Sequence, residues 1–280
     1  MYFIFFASKA GAQGFVCNLA KKPDSPSGHF QRHLDKELGC KDEVKDLYCL
    51  EAPGHHRYDK DRTVHKLDCI PVHELLAEEV SENPGLVTKL ATLVKQREWT
   101  SDYHEHPIVT AHPDEPVFPL GLYADFVNHS KIDAICGITI HNLVSGTRHL
   151  SISLRRSLLC RCGCRGWCTM YSIWSFVLWG LRALAAGAFP QARHTGAEWL
   201  VSDEVRESLA GKPLGFRGAL VHIRADWAEI AKSMGMRNWN HVVRPCPFCK
   251  TPKAMLATTT GGFGPGCEPG EPYHFIEARP

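Results

Sequence analysis

Between residues 119 and 226 the apolar pattern changes period in an order that few folds accommodate: three strand-length runs, one long apolar segment, then a fourth strand-length run that ends in an acid. "PLGLYADFV" (119–127) is a short apolar run holding Asp125, and "AICGITIHNL" (134–143) sets Ile138 and Ile140 on one face. In "RHLSISLRR" (148–156) Leu150, Ile152 and Leu154 alternate with Ser151 and Ser153, the two-residue period of a half-buried strand. The connections are short, with "VSGT" as a turn, so an antiparallel meander is expected. "GALVHIRAD" (218–226) reads as a fourth strand ending at Asp226, and "WAEIAKSMG" opens a helix directly after it.

The long segment "MYSIWSFVLWGLRALAAGAF" (170–189) carries one charge, Arg182, and is long enough for a membrane span. A buried arginine would cost such a span roughly 2.5 to 3.5 kcal/mol near the bilayer centre. Ser172, Ser175 and Arg182 fall on one helical face and Trp174, Leu178, Leu181 and Ala185 on another. An amphipathic helix laid on the sheet is therefore expected, with a membrane-anchored protein spanning at 170–189 as the minor alternative.

Ahead of these strands, residues 17–62 are rich in His, Gly, Pro and charge, as in "EAPGHHRYDKDR", and read as irregular surface or linker. "VHELLAEEVSENPGLVTKLATLVKQRE" (72–98) spaces Leu75, Leu76 and Val80, then Leu86, Leu90 and Leu93, as two helices divided at Pro84. "TSDYHEHPIVTAHPDEPVFP" holds four prolines and marks a boundary, with His104 and His106 expected at the surface. The expected organisation is an irregular and helical region over 1–116, a core over 117–235 and a small Cys-containing tail over 236–280.

Thirty-two basic and 30 acidic residues leave a net charge of +2, so any polyanionic partner must be met by a local patch. Arg155, Arg156, Arg161 and Arg165 form the densest basic run and are the candidate DNA contacts. Twelve cysteines follow a start, "MYFIFFASKAGAQGF", that lacks the basic region and apolar length of a secretion signal. Thiols and metal are expected rather than a disulfide framework, in a nuclear or cytoplasmic setting.

"CPFC" supplies Cys246 and Cys249 at the spacing of a zinc knuckle, half a tetrahedral site that His241, Cys267 or His274, or a pair from an earlier cysteine cluster, could complete, a redox-active or inert pair being the other readings. "CRCGCRGWC" (160–168) places Cys160, Cys162, Cys164 and Cys168 between the third strand and the long helix. The C-x-C spacings are tight for a zinc loop, and neighbouring ligands diverge in an extended segment. Zinc, a lipidated juxtamembrane patch and a turn of buried thiols all remain open readings of this cluster.

The order strand, strand, strand, helix, strand, helix over 117–235, with Asp125 at the end of the first strand and Asp226 at the end of the fourth, resembles the ribonuclease-H-like fold, an α/β mixed sheet. That resemblance implies neighbouring first and fourth strands, hence two carboxylates that could hold Mg2+ for phosphoryl transfer. "DWAE" from Asp226 to Glu229 equally has the form of a helix cap. With "LGLYAD", "ALVHIRAD" and the C-x-x-C that follows, the chain is similar to the catalytic domains of CACTA- and KDZ-type DNA transposases. Over about 117–250 it is also similar to a family of predicted protist proteins with "CRCGCRGWC"-like and "DWAE"-like segments, a likeness that implies no activity.

The transposase resemblance implies catalytic roles for Asp125 and Asp226, a structural zinc on Cys246 and Cys249, and no small-molecule cofactor. It departs from the pattern at the third acid, since Glu268, Glu271 and Glu277 lie in a Gly- and Pro-rich tail. The expectation is a truncated or degenerate, catalytically incomplete DNA-binding relative. The alternative is a non-catalytic zinc-binding interaction module in which both aspartates are structural.

Overall fold

In the computed structural model, residues 46–56, 61–96, 99–128 and 133–225 are described. From Tyr48 onward they form one unit. It opens with the antiparallel hairpin β1 (Tyr48–His55) and β2 (Arg62–Cys69), followed by α1 (Val72–Glu82), α2 (Gly85–Lys95) and the short α3 (Ser101–His104) and α4 (Pro107–Ala111). Then come β3 (Val117–Asn128), β4 (Ala134–Asn142), β5 (Arg148–Arg155), the long α5 (Trp167–Ala186), the short α6 (Glu204–Leu209) and β6 (Arg217–Ala225).

All six strands share one mixed sheet in the order β1-β2-β5-β4-β3-β6. β3, β4 and β5 are the expected antiparallel meander, and β6 returns parallel to β3 after the α5 crossover. The four expected strands match within two residues at each end. The helix expected after the fourth strand and the Cys-containing tail lie outside the described residues.

β1 and β2 lie within and just past the stretch expected to be irregular. Tyr48, Leu50 and Ala52 alternate and are fully buried, but Pro53 and Gly54 cut the pattern short in sequence. β1 is the edge strand, where proline's missing N–H is tolerated.

β5 departs from simple alternation. Ile138 pairs with Ile152 and Thr139 with Leu150, so Ser151 is an extra residue, a β-bulge. Its hydroxyl donates to the Ile70 carbonyl (2.7 Å) and its carbonyl accepts from the Ile70 amide (2.9 Å), tying β5 to the end of β2. Ile152 and Leu154 stay in the core, while Leu150 moves to the other face and is half exposed.

α1 and α5 cover one face of the sheet. Phe118, Leu120, Leu122 and Ala124 of β3 point there and are at most 4% exposed. α5 buries Met170, Ile173, Phe176, Val177 and Leu184, each contributing about 1.5 to 3 kcal/mol of burial. This stripe is rotated from the expected face: Leu178 is 48% exposed and Ile173 fully buried. The rotation follows from Gly180, which lets the Val72 methyl at the start of α1 seat on the helix backbone. Gly187 ends α5 in the left-handed conformation, its amide donating to the Leu184 carbonyl. Among the described residues no helix is long and apolar enough to cross a membrane.

Candidate metal centre

The link from β5 to α5 is curled rather than extended. Gly163, Arg165 and Gly166 all adopt positive φ (93°, 52° and 89°), and Arg165 is the only non-glycine to do so among the described residues. The Gly166 amide donates to the Cys160 carbonyl (3.0 Å) and the Trp167 amide to the Cys164 carbonyl (2.9 Å), closing the loop so that side chains that would diverge on a strand converge. The Sγ atoms of Cys160, Cys162, Cys164 and Cys168 all lie within 4.8 Å of one another. The expectation that tight C-x-C spacing scatters the ligands fails because the segment is not extended.

The distances suit a tetrahedral ion. Thiolates about 2.3 Å from zinc stand about 3.8 Å apart, and Cys162 and Cys168 Sγ are separated by 3.7 Å. The Cys168 amide points at Cys164 Sγ (3.5 Å). Burial pushes the Cys164 thiol up, yet the Cys168 amide and the neighbouring thiols outweigh it and bring the group down to about 6. Burial and the thiols around it push Cys168 up to about 12 and raise Cys160 as well. One thiolate is thus stabilised while its neighbours resist adding like charge, a repulsion that a divalent cation would relieve.

A second ring of contacts holds this loop to β1. The Thr169 hydroxyl donates to the Pro53 carbonyl (2.6 Å) and accepts from the Cys160 amide (2.9 Å). The His55 ring accepts from the Arg161 amide at Nδ1 (2.8 Å), and Gly54 bridges to Leu159. Below the loop, Asp133 accepts from the Ser157 amide (3.0 Å) and hydroxyl (2.7 Å). None of Pro53, Gly54, His55, Asp133 or Thr169 was marked by a sequence motif, because each acts through a partner distant in the chain.

The four arginines divide. Arg155 is exposed at the end of β5, and Arg156 lies 4.8 Å over the Phe126 ring. The Arg161 guanidinium donates to the Ser157 carbonyl (3.2 Å), and Arg165 occupies the turn. His106 caps α4, accepting from the Ile108 amide.

Asp125 does not end its strand, since β3 pairs with β4 as far as Asn128; it sits on the sheet face opposite α1 and α5, half-buried, its carboxylate accepting from the Tyr123 hydroxyl (2.9 Å). The β3–β6 register ends at Ala124 opposite Ala225. Asp226, Cys246 and Cys249 lie outside the described residues. Among the described residues the cysteine loop is the one cluster of three or more potential metal ligands. No protein-family model, no curated protein and no solved structure matches this chain.

Proposed function

We propose that the chain is a non-catalytic binding module whose sheet and long helix are stapled together by one zinc ion on Cys160, Cys162, Cys164 and Cys168. The observation that carries this reading is the convergence of four sulfurs within 4.8 Å on a loop anchored to β1. Four thiolates fill a tetrahedral shell and leave no open position for a reacting group, so the ion is structural. Metal analysis of the full chain purified under reducing conditions tests it. Wild type should hold one zinc more per chain than the Cys160→Ser/Cys164→Ser variant; equal zinc content in the two proteins would sink the reading.

A second reading, a transposase-derived DNA-binding domain, is favoured by the strand order. Counting β3, β4, β5 and β6 as strands one to four gives the sheet order three-two-one-four, the fourth parallel to the first after a helical crossover. That order supports the resemblance of residues 117–235 to the ribonuclease-H-like fold. Asp125 follows Ala124, whose partner Ala225 is the last residue of β6, and Asp226 is the next residue in the sequence. Here the two acids take Mg2+, and the arginines from Arg155 to Arg165 contact DNA phosphates. Titration with Mn2+ followed by electron paramagnetic resonance should show a bound ion that Asp125→Asn releases; indistinguishable titrations would remove this reading.

A further inference from the structure

The face of the sheet away from α1 and α5 has its own chemistry, set out in rows across the strands. One row runs Arg148 on β5, His141 on β4, Gly121 on β3 and His222 on β6. The next runs Leu150, Thr139, Tyr123 and Arg224. A third holds Ser153, Gly137 and Asp125, and a fourth Arg155, Ile135 and Val127. Tyr123 (37%), Leu150 (52%) and Val127 (62%) are exposed at its centre and rim, as are Arg148, Arg155 and Arg224.

We propose that this face binds a single-stranded nucleic acid, with Tyr123 as the stacking platform and Arg148, Arg155 and Arg224 taking phosphates. The inference names a partner for the binding module proposed above and uses none of its cysteines.

Charge selects a polyanion. On β3 to β6, three arginines and two histidines share this face with one carboxylate among the described residues, Asp125, which is engaged by the Tyr123 hydroxyl; further along the sheet the face carries Asp68 and the cross-strand pair Glu51 and Lys66. Among the described residues none of the three arginines forms an ion pair, so each guanidinium keeps its five donors for an incoming phosphate. The His222 ring lies over Gly121, where a Cβ would collide with it, and its buried Nε2 has no hydrogen-bond partner. Burial and the nearby Arg148 and Arg224 hold the His141 ring toward its neutral form, and burial and Arg224 do the same for His222. Positive charge on this part of the face therefore resides in arginine.

Shape selects a single strand over a duplex. From β5 to β6 is three interstrand steps, about 14 Å before side chains are counted, wider than a major groove of about 12 Å. Such a sheet cannot read duplex base edges, whereas splayed bases can stack on an aromatic at its centre while the backbone tracks a cationic rim. The Tyr123 ring is supported from beneath its edge by His141, nearly parallel at 28° with centroids 6.3 Å apart.

Fluorescence anisotropy with labelled oligo-dT and oligo-U of about twelve nucleotides, and a duplex of the same length, tests this on the full zinc-loaded chain. The single strands should bind more tightly than the duplex at equal salt. Arg148→Ala/Arg224→Ala should weaken binding at least tenfold and reduce the log–log salt slope by about 1.4, the loss of two phosphate contacts. Tyr123→Ala should weaken it roughly 5- to 150-fold, whereas Tyr123→Phe, which keeps the ring, should bind as wild type does. Preference for the duplex, absence of single-strand binding, or unchanged affinity in the double arginine variant would overturn the proposal. An acidic polypeptide that competes as strongly as oligo-dT would overturn it too, by showing a generic polyanion site. Zinc content measured on the same preparation separates the two readings: intact zinc without single-strand binding rejects only this one.

Discussion

Cys162 Sγ stands 3.7 Å from Cys168 Sγ, yet the two residues differ in how the fold holds them: Cys168 belongs to the first turn of α5, and Cys162 is exposed on the loop outside it. Cys160, by contrast, is 1% exposed with its amide bonded to Thr169. A metal on these ligands should therefore be lost from the Cys162 side first. Cys162→Ser is expected to speed zinc transfer to a chromogenic chelator at least tenfold while leaving the apo-protein's urea midpoint unchanged, because an exposed side chain contributes little without metal. An apo midpoint shifted as far as that of Cys160→Ser would contradict this order.

Thr169 joins the cysteine loop to β1 through one hydroxyl. Thr169→Val keeps the shape and removes both hydrogen bonds, leaving the Cys160 amide and the Pro53 carbonyl without their partner. The expected loss is about 1 to 3 kcal/mol by urea denaturation. Zinc affinity should fall as well, since the ligand nearest the core loses its support.

Gly54 is the second point of attachment. A methyl there would meet the Leu158 carbonyl oxygen and the His65 ring, and the backbone oxygen cannot swing aside. Gly54→Ala should cost about 1 to 3 kcal/mol through overpacking and should loosen zinc retention as the loop lifts from β1. Gly85→Ala, where a methyl meets open space at the start of α2, is the control expected to be neutral or stabilising.

How much of this was legible in the sequence depends on how local each signal is. The strands of β3, β4, β5 and β6 and the helix of α5 carry their periods within ten to twenty residues, and the residues alone place them. β1 is hidden in the sequence because Pro53 and Gly54 interrupt its alternation, and those same residues seat the cysteine loop. Ser151 was placed by a period that its bulge breaks, through a contact with Ile70 eighty-one residues away. The four cysteines were visible, but their convergence was not: it depends on positive φ at Arg165, a residue type that gives no such warning. The cross-strand rows of Arg148, Tyr123 and Arg224 exist only once the register of four strands is known.

The segment between α5 and β6 is held by buried charge. Arg193 pairs with Asp203, donates to the Cys49 carbonyl (2.8 Å) and lies 4.5 Å over the Tyr48 ring. Arg206 makes a two-pronged pair with Glu74 of α1 (2.7 and 2.9 Å). Removing one member strands a buried charge, so Arg193→Ala should cost about 3 to 5 kcal/mol in urea denaturation. Asp203→Asn alone should cost less, because the amide still accepts a hydrogen bond. In Arg193→Ala/Asp203→Asn the two effects should fall well short of additive, the sign that they act as one pair.

Glu79 links α1 to the far ends of β4 and β5. Its carboxylate, 4% exposed, accepts from the Asn142 amide (3.0 Å) and lies 2.9 Å from His149 Nε2. Burial pushes this acid up, but the groups around it, Ser145, His149, Asn142 and Thr147, together outweigh burial and hold it below the ordinary value of 4.5. A carboxyl whose folded pKa lies below its unfolded one stabilises the fold fully above the unfolded value and loses that contribution as pH falls through the folded one. Stability should therefore fall as pH drops below 4.5, where the unfolded chain takes up the proton first. Glu79→Gln removes the titration: at neutral pH it should be less stable by about 1 to 3 kcal/mol, since an amide oxygen in place of Oε2 keeps both contacts without the charge that strengthens them, and the amide NH2 takes the buried, unpartnered place of Oε1. Its acid limb should then run shallower than wild type's, so that the two urea midpoints approach each other between pH 5 and pH 3, a range of about two units around the ordinary carboxylate value. Parallel limbs across that range would show that Glu79 does not carry the linkage.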